Sequence, residues 1–411
     1  MRRFPELFLV LVLAFVVVAA AFVGGGAPGA AVVAVGAPAE SDGAAATAPT
    51  DSPTTTTAPT TTTTETPPAL PGPPSVSTAL ELAERITGDI SPKSVVASGH
   101  GLVFAQNMMY THSVTAYGAD RGLVATIDDG VDLAAFGFAG HAGRSRGAPV
   151  EAAFTADGAH AYVSNYSMYG AGFGPEGDDS CTPDSGFDDS FVYRIDTATF
   201  AIDQVIPVGS VPKYVAVTPD DRTVLVTNWC TWDMSIIDVA TATEVARVPI
   251  GRYPRGVVVS PDSRTAYIAV MGGDKIVTVD LATRVVSDLV ASGDGPRHIE
   301  ISPDGAFLFV SHNSDGTVAK IEAATGDVVE RRSTGQNPRS LDISSDGQAI
   351  YVVNYSSSTI TKLSTADLSV LDEHPTDQHP IGITYEPITR TVWVACYGGS
   401  IMVFDDTTPA T

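Results

Sequence analysis

The sequence predicts an all-β protein, a seven-bladed β-propeller of four-stranded antiparallel blades, and two observations predict it. First, prolines recur at intervals of 42 residues, at Pro212, Pro254, Pro296, Pro338 and Pro380. Second, each interval holds short β-branched runs bounded by turn residues, with no helical periodicity between them. Four short strands per unit, repeated at about this length, are typical of propeller blades.

Two earlier prolines extend the series to seven units. Pro92 and Pro149 fit the same spacing if the chain carries two insertions. One insertion of 15 residues lies between residues 129 and 149, and one of 21 residues lies between residues 166 and 190. Seven units indicate seven blades, with both insertions placed around blade 2.

The last unit stops after its third strand, at residues 401–404. Residues 79–88, which precede the first unit, resemble the outer strand at residues 244–251. We therefore expect residues 79–88 to complete blade 7 and to remove the open sheet edge. A short amphipathic helix is the alternative for this segment.

Composition excludes several functional classes. The 411 residues carry 23 Lys plus Arg against 47 Asp plus Glu, a formal net charge of -24. A chain this acidic has no overall positive field for nucleic acid or an anionic membrane. Three cysteines are too few for a disulfide-built scaffold. A hydrophobic content of 44% is enough for a sizeable core.

The N-terminal part predicts export. An uncharged apolar run over residues 7–23 and a small-residue stretch make residues 1–39 a signal peptide or a membrane anchor. Residues 40–74 are a Thr/Pro-rich disordered linker, and residues 75–411 form the propeller. We expect an extracytoplasmic protein, secreted or held at the membrane or cell surface. No cysteine precedes Cys181, which excludes a lipid-modified N-terminal cysteine.

Short motifs at the second strands carry a family resemblance. Residues 162–165 (YVSN), 226–228 (VTN) and 351–354 (YVVN), with the Pro-Asp-Gly turns, resemble the YVTN-repeat (YncE-like) propeller family over about residues 79–406. Blades 4 and 7 depart from the motif, with YIAV at residues 267–270 and WVAC at residues 393–396. The resemblance implies a seven-bladed fold. It also implies several functions: extracytoplasmic binding proteins, lactonase-like hydrolases, and redox subunits that hold haem d1 or partner a quinone enzyme.

The position after each opening proline is basic in five of the seven units. We expect these side chains to form a ring at one mouth of the central channel: Lys93, Lys213, Arg255, Arg297 and Arg339. One interpretation is a clamp, in which each cation bonds carbonyls or carboxylates of the next blade. The other is recognition of an anionic or polar ligand through charge-assisted hydrogen bonds.

Polar and aromatic residues follow the second strands, which end on the same face. The predicted ligand-binding set therefore adds six residues to the basic ring: Asn228, Trp229, His298, His312, Asn354 and Tyr355. Asn at such positions often only completes a turn. Aromatic residues beside it would give a partly apolar rim of the kind that ligand sites use.

Both insertions fall on this face, which favours it as the contact surface. The longer insertion is rich in carboxylates but has no calcium-loop spacing, so a solvated acidic loop is preferred over a calcium site. Cys181 in this insertion and Cys230 in the next blade predict a disulfide that pins the loop. Cys396 remains single, as a buried thiol.

These observations predict an extracytoplasmic binding or interaction module rather than an enzyme. The expected partner is a small anionic or polar ligand or a surface protein, with no membrane contact by the propeller and a monomeric state. Nucleic acid is disfavoured, although a single strand is not excluded. No metal or cofactor is predicted, and calcium and haem are the minor alternatives. The enzymatic alternative is a lactonase-like hydrolase or a redox partner that uses His298 and His312 near the basic ring.

Overall fold

The protein was analysed as a computed structural model, which describes residues 72–408. The predicted signal or anchor at residues 1–39 lies outside the described residues, as does all of the predicted linker except residues 72–74. Residues 72–408 form seven four-stranded antiparallel sheets and one two-stranded hairpin. The predicted seven-bladed, four-stranded architecture is confirmed. No helix within residues 72–408 has the length and apolar character needed to cross a membrane.

The strands follow the proline spacing. The chain begins with β1 (Ala79–Thr87) and then builds blade 1 from β2 (Ser94–Ala97), β3 (Val103–Asn107), β4 (Ser113–Tyr117) and β5 (Leu123–Asp128). The first insertion forms the hairpin of β6 (Gly130–Asp132) and β7 (Arg144–Arg146). Blade 2 consists of β8 (Pro149–Phe154), β9 (His160–Asn165), β10 (Ser190–Asp196) and β11 (Ala201–Val208).

Blades 3 to 6 are regular. Their strands are β12 (Pro212–Val217), β13 (Thr223–Asn228), β14 (Asp233–Asp238), β15 (Thr243–Pro249), β16 (Pro254–Val259), β17 (Thr265–Val270), β18 (Lys275–Asp280), β19 (Val286–Val290), β20 (Pro296–Ile301), β21 (Phe307–His312), β22 (Thr317–Glu322), β23 (Val328–Ser333), β24 (Pro338–Ile343), β25 (Ala349–Asn354), β26 (Thr359–Ser364) and β27 (Val370–Pro375). Blade 7 contains β28 (Pro380–Glu386), β29 (Thr391–Cys396) and β30 (Ser400–Thr407). Each innermost strand packs beside the next, and β28 packs beside β2, so the seven strands surround a central channel.

Blade 7 is completed by the N-terminal strand. β1 pairs antiparallel with β30, in a register that runs from Ala79 opposite Thr407 to Thr87 opposite Ser400. The expected ring closure is therefore confirmed, and the helical alternative for this segment is wrong. The pairing covers what would otherwise be an exposed edge strand.

A buried ion pair ties this closure to blade 6. Lys362 and Asp406 are both fully buried, with Nζ and Oδ1 2.6 Å apart. Lys362 Nζ also donates to the backbone oxygen of Thr78, directly before β1, at 2.9 Å. The Tyr351 hydroxyl donates to the second oxygen of Asp406 at 2.5 Å. The charges thus have several hydrogen-bond partners, as buried charges require.

The core lies between neighbouring blades. One cluster joins Leu225 and Met234 of blade 3 to Ile268 and Val277 of blade 4, all with no exposed surface. Alternation along each strand directs every second side chain into such a layer. The middle strands have neighbours on both faces, so they are buried almost throughout, and the outer strands are exposed.

The turns that follow the innermost strands share one construction. In blades 2 to 6 a Ser or Thr hydroxyl at the strand end donates to an aspartate two residues later, as in Ser302 to Asp304 at 2.6 Å. The same Asp304 accepts from the backbone N–H of Ala306 at 3.0 Å. These hydrogen bonds favour the charged form and lower the pKa of Asp304. Five of the chain's aspartates therefore stabilise these turns.

Candidate functional site: the mouth of the central channel

A β-bulge at the start of the innermost strands positions the predicted basic ring. In blade 3, Pro212 pairs with Asn228 and Tyr214 pairs with Thr227, which leaves Lys213 without a partner in the ladder. Arg297 and Arg339 occupy the same unpaired position in blades 5 and 6. A bulge redirects the extra residue and bends the strand. In blades 3, 5 and 6 the residue after the opening proline is therefore released from the regular alternation at this end of the channel.

The five cations of the ring are gathered and largely withdrawn from water. Lys213 is 4% exposed and Arg297 is 7% exposed. The charges of Arg255, Arg297 and Lys213 all act on Lys93, and burial together with these charges holds the pKa of Lys93 well below its usual value. The structure thus brings together the ring that the sequence predicts.

Within residues 72–408, Lys213 is the one member of the ring that forms an ion pair. Its Nζ lies 2.6 Å from Asp179 Oδ1. The side chains of the other four make no ion pair and no hydrogen bond to any described residue: Lys93, Arg255, Arg297 and Arg339. The clamp interpretation requires such bonds, and the described residues supply one for Lys213 alone.

Burial is the largest influence on the ring's charges. Burial, followed by the charges of neighbouring cations of the ring, lowers the pKa of Lys213 to about 7 and that of Arg255 to about 10. Arg297 is lowered well below its usual pKa for the same reasons. Carboxylates act in the opposite direction: Asp179 on all three, and Glu151 on the two arginines. Each shift has the sign expected where positive charge is in excess.

Aromatic side chains frame the ring. The Arg339 guanidinium lies 3.9 Å from the centre of the Tyr355 ring, and Lys213 Nζ lies 5.3 Å from that of Trp229. Trp229 stacks on Tyr253 with ring centres 4.4 Å apart. Such cation–π contacts stabilise a cation without neutralising it. The predicted residues Trp229 and Tyr355 are therefore brought to the basic mouth.

The longer insertion reaches this mouth as well. Cys181 and Cys230 form the disulfide expected from the sequence, with Cα atoms 5.3 Å apart. The indole Nε1 of Trp229 donates to the backbone oxygen of Asp179 at 3.0 Å. The disulfide bond and this hydrogen bond together hold Asp179 over Lys213.

The two insertions also contact each other. Arg146, in the hairpin of the first insertion, exchanges two backbone hydrogen bonds with Tyr169 of the second, at 2.8 and 2.7 Å. Arg146 Nε also lies 3.0 Å from the buried carboxylate of Asp129. The inserted segments therefore form one connected surface on the side of the basic mouth.

A cavity of about 460 Å³ occupies the channel below the ring. It extends from the residues two places after the opening prolines to the turns that follow the innermost strands, such as Ser98 and Pro219. All seven innermost strands contribute to its wall. Five of its side chains bear ionisable groups of chemical interest: Glu151, Tyr214, His298, Glu300 and Asp342.

His298 lies in this cavity with a defined tautomer. Its Nδ1 accepts from the backbone N–H of Leu341 at 3.0 Å, so the proton of the neutral ring sits on Nε2. Nε2 hydrogen-bonds with the Tyr214 hydroxyl and lies 3.4 Å from Glu300 Oε1. Burial lowers the pKa of His298 to about 4. The imidazole is therefore neutral at pH 7.

The reach of Tyr214 to His298 depends on a glycine between them. Tyr214 belongs to blade 3 and His298 to blade 5, with ring centres 4.9 Å apart. Gly256 holds the equivalent position of blade 4, where a Cβ would lie 3.0 Å from the backbone oxygen of Arg297. That distance is shorter than ordinary van der Waals contact. Glycine therefore allows blade 5 to approach closely.

Burial raises the pKa values of the carboxyl groups in the cavity. Burial raises the pKa of Glu300 to about 8 and that of Asp342 to about 7, and Glu300 adds to the shift of Asp342. Burial also raises the pKa of Glu151. The channel thus has a cationic mouth above a cavity in which Glu300 is mostly protonated at pH 7 and Asp342 is about half protonated.

Comparison with known proteins supports the fold. A family model described as "Lactonase, 7-bladed beta-propeller" matches residues 168–329 and 299–367, a little less than half of the chain. The protein is a seven-bladed β-propeller. No curated protein matches this propeller.

Solved structures show the same architecture. The propeller resembles hydrazine synthase from Kuenenia stuttgartiensis with a TM-score of 0.62 and 19% identity, over 79% of this chain and 98% of that one. It also resembles a chain from a structure titled "Crystal Structure of Mitotic Checkpoint Complex", with a TM-score of 0.64 and 10% identity, over 79% and 92% of the two chains. At these identities the likeness concerns the fold alone.

Three predicted ligand-binding residues have a structural role instead. Asn228, His312 and Asn354 are 0% exposed. Asn228 Nδ2 donates to Ser235 Oγ at 2.9 Å, and Asn354 Nδ2 donates to Thr361 Oγ1 at 2.9 Å, so each ties the second strand to the third. Because these side chains are buried and hydrogen-bonded inside the blades, they are withdrawn from the mouth, although Asn228 Oδ1 has no hydrogen-bond partner among the described residues.

The two predicted histidines are also separated. His312 Nε2 hydrogen-bonds with Ser292 Oγ at 3.1 Å, and its Nδ1 faces Arg331 at 3.3 Å. His298 instead lines the channel cavity rather than the mouth. The structure therefore does not assemble His298, His312 and the ring into one catalytic group.

The remaining cysteine is buried, and three carboxylates of the longer insertion have partners within the protein. Burial raises the pKa of the Cys396 thiol to about 12, so it is protonated and inert. Asp179 faces Lys213, Asp189 faces Arg247 and Asp188 accepts from Gly174. Within residues 72–408 the carboxylates of the insertion form no group with metal-ligand geometry.

Sequence reasoning missed four polar residues inside the channel, Glu151, Tyr214, Glu300 and Asp342, and it placed His298 at the mouth rather than in the cavity. Glu151, Tyr214 and His298 come two places after their prolines, and Glu300 and Asp342 come four places after theirs. Since side chains alternate along a strand, positions two and four share the channel face. The 42-residue register could have identified them by this offset.

Proposed function

We propose that this protein is an extracytoplasmic binding module that takes an anionic ligand at the basic mouth of its channel. The observation that carries the proposal is a group of four cations, Lys93, Arg255, Arg297 and Arg339, without a bonded partner among the described residues. Membership of the YVTN-repeat propellers and a monomeric state belong to the same proposal. The disulfide between Cys181 and Cys230 supports an oxidising, exported location.

The energetic argument concerns uncompensated charge. Withdrawing an ion from water costs several kcal/mol unless a partner repays it. Gathering like charges adds repulsion, which the lowered pKa values of Lys213 and Arg255 reflect. A bound anion would remove both costs through short charge-assisted hydrogen bonds. Strain of this kind is typically retained where a site is preorganised for a ligand.

Arg297→Met tests the proposal. We expect it to weaken binding of inorganic pyrophosphate at least tenfold, by roughly the ~1.5–3 kcal/mol of a charge-assisted hydrogen bond. The same change should preserve or raise the melting temperature, because it removes an unpaired buried charge. Isothermal titration calorimetry and thermal unfolding measure the two effects separately.

Arg222→Met is the matched control, because the Arg222 side chain is 84% exposed in a turn. It should leave both quantities unchanged. A clear loss of stability in Arg297→Met with unaltered anion binding would instead show that the ring is a structural clamp. Wild-type protein that binds none of pyrophosphate, citrate and sulfate would overturn the proposal itself.

A lactonase-like hydrolase is the second candidate. It is favoured by the family model and by the neutral His298, whose Nε2 meets Tyr214 and Glu300 inside the cavity. An imidazole, a phenol and a protonated carboxyl group in contact are suited to general acid–base work. Assay of a panel of lactones with wild-type protein and His298→Gln decides it, since turnover that His298→Gln abolishes would establish hydrolysis.

A further inference from the structure

The basic mouth already contains one anionic group of the protein itself. Asp179 Oδ1 lies 2.6 Å from Lys213 Nζ and accepts from the Tyr166 hydroxyl at 3.2 Å. Its charge also acts on three further cations of the ring, Arg255, Arg297 and Arg339. A single carboxylate therefore lies within electrostatic reach of four cations that converge on one region.

We propose that Asp179 is an internal occupant of the anion site, and that the ligand is a compact anion of two or more charges that displaces it. This inference rests on the proposed function and adds to it the chemical class of the ligand. Phosphate esters, pyrophosphates and polycarboxylates share this chemistry.

The position of Asp179 makes displacement feasible. Its side chain is 70% exposed, whereas that of Lys213 is 4% exposed, so the carboxylate approaches the ring from the solvent side. Its backbone is fixed by two bonds. Trp229 Nε1 donates to its carbonyl oxygen, and Cys181, two residues after Asp179, forms the disulfide with Cys230. Rotation of one side chain is thus enough to open the site, without movement of the loop.

The charge count sets the ligand class. Asp179 forms its ion pair with Lys213, and no second ion pair joins it to the ring among the described residues. A monovalent anion would only exchange one charge for another at that position. A ligand with two or more charges can replace Asp179 and also reach Arg255 or Arg297, which gives it a net gain in charge-assisted hydrogen bonds.

Part of the positive charge of the ring is already offset by a second carboxylate of the protein, Glu151. Glu151, below the ring, raises the pKa of Lys93, Arg255 and Arg297, although like charges and burial outweigh it. Asp179 and Glu151 thus act from opposite sides of the cations. Asp179 is exposed whereas Glu151 is only partly exposed, so Asp179 is the one that a ligand arriving at the mouth can displace.

The test compares Asp179→Asn with Asp178→Asn in pyrophosphate titrations by calorimetry at low salt and at pH 5.5, because Asp179 raises the pKa of Lys213 and its removal would discharge Lys213 at neutral pH. Asp178→Asn is matched in charge and position, but Asp178 only caps the N–H of Ser180 at 2.7 Å. We expect Asp179→Asn to tighten pyrophosphate binding about three- to tenfold, since a competing like charge is removed. Asp178→Asn should change it less than twofold. Acetate should bind wild type negligibly and Asp179→Asn measurably.

The outcomes separate the two proposals. Wild-type binding of pyrophosphate that Asp179→Asn weakens or leaves unchanged would overturn the role of Asp179 and preserve the anion site. Equal tightening by Asp178→Asn would also overturn it, because a general charge effect would then explain the gain. Absence of binding in wild type, Asp179→Asn and Asp178→Asn alike would overturn the anion site itself. Thermal unfolding of each variant establishes that it is folded.

Discussion

Lys213 differs from the other cations of the ring because it has an ion-pair partner, Asp179, which favours its charged form, whereas burial and the neighbouring arginines disfavour that form. Burial and the charge of Arg255 lower its pKa, Asp179 acts in the opposite direction, and the net value is about 7. The partner shows the attraction more directly: burial favours neutral Asp179, but the charge of Lys213 outweighs this and holds the pKa of Asp179 at about 2. The pair is therefore intact at pH 6 and loses its positive charge above pH 7.

This titration predicts that anion binding weakens as pH rises. Sulfate is a suitable probe because it remains a dianion from pH 5 to pH 9. We expect its affinity to be constant near pH 6 and to fall above pH 7, by at most about tenfold per pH unit for loss of one proton. Calorimetric titrations across this range measure the effect.

Lys213→Met should bind sulfate more weakly at pH 6 and show a flatter pH profile. The stability effect has the opposite sign. Because the pKa of Lys213 is lower in the folded protein than in the unfolded chain, its contribution makes stability rise with pH between about 7 and 10.5. An unchanged sulfate profile in Lys213→Met would assign the titration to another group.

The residues of the site could be predicted in part. Position one after each proline identified the basic ring, because five basic residues at one repeat offset mark a common location. The same offset argument failed for Asn228 and Asn354, because strand ends share a face while their side chains turn inward to the third strand. The absence of a bonded partner for Arg297 depends on tertiary geometry, which sequence spacing does not contain.

At the scale of the element, the closing strand β1 depends on polar contacts as well as on its ladder. The backbone oxygen of Thr78 accepts from Lys362, and Lys362 is paired with Asp406 in a site with no exposed surface. Burial lowers the pKa of Lys362, and the hydrogen bond and charge of Asp406 oppose that shift. The N-terminal strand, blade 6 and blade 7 are thus linked by one ion pair.

We predict that Asp406→Ala destabilises the propeller by about 3–5 kcal/mol, since it leaves Lys362 buried without a counter-ion. The double variant Lys362→Met with Asp406→Leu should recover much of the loss, because it replaces the pair by apolar groups of similar size. Chemical denaturation measures both. A double variant as unstable as Asp406→Ala would show that packing of β1, rather than the charge, is what the substitution disrupts.

The turn elements account for part of the chain's acidity. Asp196, Asp238 and Asp280 each accept from the backbone and hydroxyl of a Thr three residues later, which builds the loop after the third strand in blades 2 to 4. Together with the aspartates that follow the innermost strands, these residues give one blade two carboxylates that stabilise its turns. A repeat architecture multiplies that chemistry by the number of blades.

At the scale of the whole molecule, the repeat made the fold predictable. Seven units, two insertions and a displaced N-terminal strand all follow from one 42-residue spacing, because each blade is the same supersecondary unit. The contact between the insertions through Arg146 and Tyr169 did not follow from it, since inserted segments have no repeat to fix their register. The cavity below the ring was missed because its acids occupy their shared offsets in only one or two blades each, Glu151 at position two and Glu300 and Asp342 at position four.

The combination of a basic mouth with a net charge of -24 predicts an unusual salt dependence of anion association. At about 10 mM salt the Debye length is about 30 Å, so the acidic body repels an approaching anion. At about 150 mM salt the Debye length is about 8 Å, so this long-range repulsion is screened. The attraction of the buried ring at short range is screened much less. We therefore expect the association rate of pyrophosphate to increase about two- to fivefold over this range. Stopped-flow tryptophan fluorescence can follow the association, because the centre of the Trp229 ring lies 5.3 Å from Lys213 Nζ.

Asp179→Asn should keep the same salt slope, since it removes one charge of the 47 acidic residues. An association rate that falls steadily with salt would show instead that the mouth, and not the acidic body, controls the field that the ligand first meets.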